Sequence, residues 1–297
     1  METTEKEMQI AEPKAIGRRA AMVLGGAALV GMAMNQRAAA QSASVTDTDI
    51  LNFALNLEYL EAQFYTLATT GKTIDQVGIG ITSGGGAAGG TVTVKANAAV
   101  PFTTPLLQQF AGEIATEEQN HLKFLRTALG TSAVAMPNID LMNSFNALAQ
   151  AAGLGSSFDP FASETNFLLG AFIFEDVGVT AYSGAAGLIS SAAYLDKAAG
   201  ILAVEAYHAG SIRLRIFQAG AGAQAASTAI AMTRAKLDGT NNDDIGVGVS
   251  GGAATIVNAD QNAIAFARTT SQVLNIVYGG GTSSGAFFPN GLNGTIK

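Results

Sequence analysis

Two histidines stand in this 297-residue chain, and each follows a glutamate by three positions: Glu118-Gln119-Asn120-His121 and Glu205-Ala206-Tyr207-His208. Residues three apart share a helix face, so each E-x-x-H presents a carboxylate and an imidazole to one point. With 12 glutamates in the chain, a given histidine meets one at i−3 by chance roughly 4% of the time, so the double occurrence points to a shared role. Two more glutamates extend the pattern. Glu58 in LEYLEAQFY and Glu175 in FEDVGVTAY each precede a tyrosine, Tyr65 and Tyr182, by seven residues. At about 100° per residue, both members of such a pair fall on one helical stripe. The chain thus reads E…Y then E-x-x-H, twice over.

The neighbours of these residues are apolar (ILAVEAYHAG around His208), where burying a lone carboxylate or imidazole is costly. Four carboxylates facing one another in such a setting would repel, and most would stay protonated. Two divalent cations supply the compensating charge, with glutamate able to bridge and one histidine to cap each ion. Oxygen and imidazole donors without sulfur suit iron or manganese, and zinc is compatible. Ions about 3.5–4 Å apart can share bridging carboxylates. The expected metal set is Glu58, Glu118, His121, Glu175, Glu205 and His208. Tyr65 and Tyr182 are the candidate catalytic residues, as hydrogen-bond partners of the glutamates or as electron carriers; the alternative is a pair of core aromatics with satisfied hydroxyls. Glu61 shares a face with Glu58 and is the alternative donor from that helix. Glu113 and Glu117 are near competitors, and Asp176 faces another side of its helix in a supporting or structural role.

Composition removes other chemistries. There is no cysteine, so disulfides, thiolate sites and cysteine nucleophiles are excluded. The formal net charge of −7 leaves no basic footprint for nucleic acid. The glycine run at 84–90 lacks the G-K-[ST] of a phosphate loop. DGTNNDD at 238–244 has oxygen donors without calcium-loop spacing.

Four long segments have the apolar periodicity that would carry the donors on helices: about 47–70, with Asp47 as candidate N-cap; 104–129, with Pro105 in its first turn; 163–189, capped by Ser163; and 194–218. Residues 71–103 join the first pair through GIGITSGGGAAGG and the strand-like TVTVK, expected as a surface excursion that could close as a hairpin. Residues 130–162 are long enough to cross from one end of a bundle to the other, with a short helical piece near 140–152. The third and fourth helices are joined tightly. Two antiparallel pairs linked by one long crossover, all-α, with one inward glutamate from each of two helices and Glu-x-x-His from each of the others, is the ferritin-like four-helix arrangement. Residues 45–220 form the expected bundle. Residues 221–297 are read as an irregular extension packed on it, with strand-like patches (GVGVS, ATIV) and a short helix opened by a Thr269–Gln272 capping box.

The first 40 residues read as an export signal: a polar start, Arg18-Arg19, a mildly apolar run at 20–34, then Ala38-Ala39-Ala40 as a cleavage pattern. The paired arginines suggest the twin-arginine route, with a periplasmic or extracellular destination. The apolar run is shorter than the ~20 residues of a membrane span, so no stable span is expected after cleavage.

LNFALNLEYLEAQFY, NFLLGAFIFEDVGVTAYSGAAGLI, AAGILAVEAYHAGSIRLRI and the end AFARTTSQVLNIVYG…GAFFPNGLNG together resemble bacterial ferritin-like-domain proteins and plant desiccation-related proteins. The resemblance implies a ferritin-like bundle, usually exported. By similarity to ferritins and bacterioferritins, the six metal candidates match ligand positions and Tyr65 matches an aromatic near the site. The expectation is a dinuclear iron or manganese protein, an oxidoreductase that oxidises ferrous iron or consumes peroxide in envelope stress defence, with oxygen or peroxide as partner. A non-enzymatic desiccation or stress protein with a structural metal, or none, is the alternative, and a homo-oligomer is left open.

Overall fold

In the computed structural model, residues 45–240 and 243–297 are described; the expected export signal at 1–40 lies outside them. Helix α1 (Asp47–Thr70) starts at Thr46, whose side chain accepts from the Asp49 amide while Asp49 reaches back in a capping box. The cap is therefore one residue earlier than expected. Asp47 instead braces a distant turn, its carboxylate accepting the Ser190 and Ser191 amides, both at 2.8 Å, where the last helix of the bundle begins. Gly71 ends α1 in the left-handed region at φ 72°, a conformation that favours glycine. Almost every residue of α1 from Ile50 to Ala68 is buried, the mark of a helix enclosed on all sides.

Helix α2 (Pro105–Leu129) carries proline in its first turn, where the missing N–H has no partner to lose. It buries one stripe only, Leu107, Ala111, Ile114, Glu118, Leu122, Leu125 and Leu129. The crossover contains α3 (Asn143–Ala151). Helix α4 (Glu164–Ala186) is capped by Ser163 and α5 (Ala192–Gln218) by Ser191. The break between them falls three residues earlier than expected at its start, after Ala186 rather than Ile189, because Asp47 holds the chain at Ser190–Ser191 as the next helix opens. Helices α1 and α2 pack closely along their lengths, as do α4 and α5, with α1 against α4. The backbones of α2 and α5 stand farther apart, with polar side chains meeting between them.

The excursion at 71–103 is not a hairpin. Its strand β1 (Val92–Thr93) pairs in parallel with β2 (Ile139–Asp140) in the crossover. A side chain at Gly90 would stand 2.5 Å from the Pro137–Asn138 backbone, so glycine permits the two connections to meet. The C-terminal extension departs further from the irregular tail expected. It holds α6 (Ala221–Leu237), a helix that its sequence does not announce, then the small pair β3 (Val249–Ser250) and β4 (Ala253–Ala254). The Thr269–Gln272 capping box forms as expected and opens α7 (Thr270–Val277).

A buried ion-pair network fastens this extension to the bundle. Asp176 on α4 accepts from Arg213 of α5 and Arg234 of α6, both at 2.8 Å. Arg234 also pairs with Asp244, and Arg268 with Asp238 and Asp244. The Arg234 guanidinium lies 4.3 Å from the centre of the Phe172 ring, a cation–π contact. Near the end of the chain, Phe287 packs edge-on against Phe145 and Phe174. None of the described helices is long and apolar enough to cross a membrane.

Candidate metal centre

The four bundle helices bring all six metal candidates into the core. Glu58, Glu118, Glu175 and Glu205 are at most 1% exposed, and His208 2%. The donors form two groups. Glu58, Glu118, His121 and Glu205 can each offer an atom within 4.8 Å of the others, and so can Glu118, Glu175 and His208. Glu118 belongs to both groups. His121 Nδ1 stands 3.5 Å from Glu58 and from Glu118 and 3.7 Å from Glu205. His208 Nδ1 stands 3.1 Å from Glu118 and 3.3 Å from Glu175. The fourth helix is thereby split between the groups: Glu205 turns toward His121, and His208, one turn on, toward Glu175.

The tyrosines sit where the stripes put them, but each serves the opposite helix. Tyr65 of α1 donates to Glu175 of α4, and Tyr182 of α4 donates to Glu58 of α1. One oxygen of each terminal glutamate is thus fixed by a phenol while the other faces an imidazole. Burial, and then the facing carboxylates, raise both phenols above their ordinary range, so they remain proton donors. Glu61 is buried too, but joins neither donor group.

Two residues complete the site that sequence reasoning does not assign. Glu117, a competing donor by sequence, lies 2.6 Å from His208 Nε2. With Nε2–H donating to that carboxylate, Nδ1 is left with its lone pair toward the other carboxylates, the arrangement by which an outer carboxylate orients a metal-binding imidazole. Gly178, three residues after Glu175 on α4, makes room: a Cβ there would lie 2.2 Å from Glu205 Oε2. A glycine at i+3 from a candidate donor is the signal that could have found it.

Electrostatics describe a site short of positive charge. Burial, and secondarily the neighbouring carboxylates, raise Glu205 and Glu61 well above the usual range. Glu58 is pushed up to about 7, mainly by burial. Glu118 is also opposed by burial, yet the two facing imidazoles, at 3.5 and 3.1 Å, hold it down at about 2. Burial favours neutral imidazoles, but the facing carboxylates overcome it and raise His121 to about 10 and His208 to about 12. Eight buried donor atoms in this one place, from Glu58, Glu118, His121, Glu175, Glu205 and His208, have no hydrogen-bond partner. Buried polar atoms are nearly always partnered, so this concentration is what an oxygen- and nitrogen-liganded ion pair would satisfy. The residues present fit one.

Comparison with known proteins agrees with this fold. The chain is 29% identical over 248 residues to a desiccation-related protein, PCC13-62, of Craterostigma plantagineum, covering 77% of this chain and 76% of that one. It is 27% identical over 269 residues to the ferritin-like catalase Nec2 of Nesocodon mauritianus, covering 84% of each. No solved structure matches significantly. The ferritin-like domain matches residues 46–218, the span that holds all four bundle helices and every candidate donor, and the chain belongs to that family.

Proposed function

We propose that this chain is an exported dinuclear iron or manganese protein that consumes hydrogen peroxide. The observation that carries the reading is the set of eight unpartnered donor atoms converging in the bundle core. The likeness to a relative named a ferritin-like catalase, along most of both chains, supports peroxide over ferrous iron as substrate. In the balanced reaction, one peroxide gives up two electrons and two protons and leaves as dioxygen. The other accepts them, its O–O bond breaks, and two waters leave.

Bound ions would supply the electron exchange, chemistry that the side chains here cannot supply alone. The chain's own residues do the rest. Glu58, Glu175, Glu205, His121 and His208 would hold the ions, with Glu118 shared between them. Tyr65 and Tyr182 hold protons on their hydroxyls and fix one oxygen each of Glu175 and Glu58. Glu117 sets the His208 tautomer. Burial of the donors in the bundle core keeps bulk water out.

Metal analysis of natively expressed protein is the test. About two iron or manganese ions per chain are expected, with strong loss in His121→Ala and His208→Ala and dioxygen release from peroxide by the loaded protein. Less than about one ion per chain, unaltered by those substitutions, would sink the reading. Amino-terminal sequencing of secreted material checks export, with Gln41 as the expected first residue. The likeness to a desiccation-related protein favours a second reading, a stress-protective scaffold. Protection retained by the histidine variants, without peroxide turnover, would select it.

A further inference from the structure

The two ends of the centre are not equivalent. Helix α2 carries Glu117-Glu118-Gln119-Asn120-His121 where α5 carries Val204-Glu205-Ala206-Tyr207-His208. The residue before the first motif, Glu117, stands behind His208. Its counterpart before the second motif is Val204, which has no carboxylate to place behind His121. Among the described residues, the carboxylates within 4.0 Å of the His121 ring are Glu58, Glu118 and Glu205, all facing Nδ1. The ring borders a shallow surface depression of about 210 Å³, lined by His121 and Phe124 of α2 and by Lys197, Gly200, Ile201 and Val204 of α5. It lies between α2 and α5, whose residues form its whole lining. The His121 side chain is 11% exposed, against 3% or less for the other five candidate donors.

A Cβ at Gly200 would meet nothing within 4 Å, so this wall is open and a large side chain placed there has room to project across it. Phe124, Ile201 and Val204 are apolar, and the one charged lining residue, Lys197, is paired with Asp196 at 3.0 Å. Walls without net charge suit a small uncharged molecule.

We propose that this mouth admits hydrogen peroxide to the His121 end of the centre and that the positions of Gly200 and Val204 set its width. The inference rests on the dinuclear reading above, and its test separates the two. Gly200→Phe and Val204→Phe are compared with wild type and with Gly200→Ala, which adds helix propensity without filling the mouth. Each protein is loaded with ferrous iron and mixed with nitric oxide, a small uncharged probe that reports binding through absorbance. Both phenylalanine variants are expected to slow nitric oxide binding, and to lower kcat/KM for peroxide, by about tenfold or more. Iron content at full loading should match wild type, and Gly200→Ala should behave as wild type throughout. Normal iron content with unaltered nitric oxide binding in both phenylalanine variants overturns the mouth while leaving the centre standing. Failure of the wild type to bind iron or manganese removes the dinuclear reading and this inference together.

Discussion

At the scale of single residues, the centre depends on contacts between helices that local spacing cannot encode. Glu118 and His121 are three apart, so their convergence is a property of any helix. The partnership of Glu117 with His208 crosses from α2 to α5, and nothing in the sequence near either residue announces it. The tyrosines make the same point: Tyr65 and Glu58 share a stripe, yet the Tyr65 hydroxyl finds Glu175 on another helix. Gly178 matters because Glu205 arrives from α5 to fill the space above it. Replacing an outer carboxylate behind a metal-binding histidine commonly weakens metal binding about 10–100-fold. Glu117→Gln is therefore expected to lose metal affinity by that order with its helical content intact, measured by competition with a chromophoric chelator and by circular dichroism.

At the scale of elements, the four bundle helices are legible because each carries a long apolar pattern and three begin at or next to a recognisable cap. Helix α6 is not. Its sequence, AGAQAASTAIAMTRAKL, is built on alanines, which favour helix but draw no sharp stripe against their polar neighbours. What holds α6 down is also non-local: Arg234 reaches Asp176 on α4 and Asp244 in the following loop. The expectation that Asp176 faces away from the donors holds, and its role is to anchor the extension. Removing one partner from a buried ion pair costs about 3–5 kcal/mol. Asp176→Ala is expected to destabilise the protein by that order in urea denaturation, because Arg213 and Arg234 would each lose a buried counter-charge. A loss below about 1 kcal/mol would mean that the network is not what fastens the extension.

At the scale of the whole molecule, the sign of the pH dependence above about pH 5 is set by His121, His208 and Glu58, because Glu118, held down at about 2, is already ionised there. His121 and His208 are raised to about 10 and about 12 by the facing carboxylates, against burial. Their contribution to stability is thus full below the unfolded value near 6.5 and is lost as pH climbs through the folded values. Glu58, pushed up to about 7 mainly by burial, binds its proton more tightly folded than unfolded. Its contribution likewise declines as pH rises from the unfolded value of about 4.5. Metal ions compete with these same protons, so their affinity strengthens as pH rises. The gap in Tm between metal-loaded and metal-free protein is expected to widen from about pH 5 to about pH 8, with net proton release on loading, both readable by calorimetry. A gap that stays constant would place the ions away from these groups.

By itself the sequence determined the helices of the bundle, the faces on which their donors lie, and the absence of sulfur chemistry. These follow from 3.6-residue periodicity and side-chain type, which are local. The tertiary structure alone decided which donors share a group, which tyrosine serves which glutamate, where α6 and the parallel strand pair lie, and that one histidine is backed by a carboxylate while the other borders an open mouth. Those features are set by the distance and rotation between helices far apart in the chain, which arise from the packing of the whole core and are written in no single segment of it.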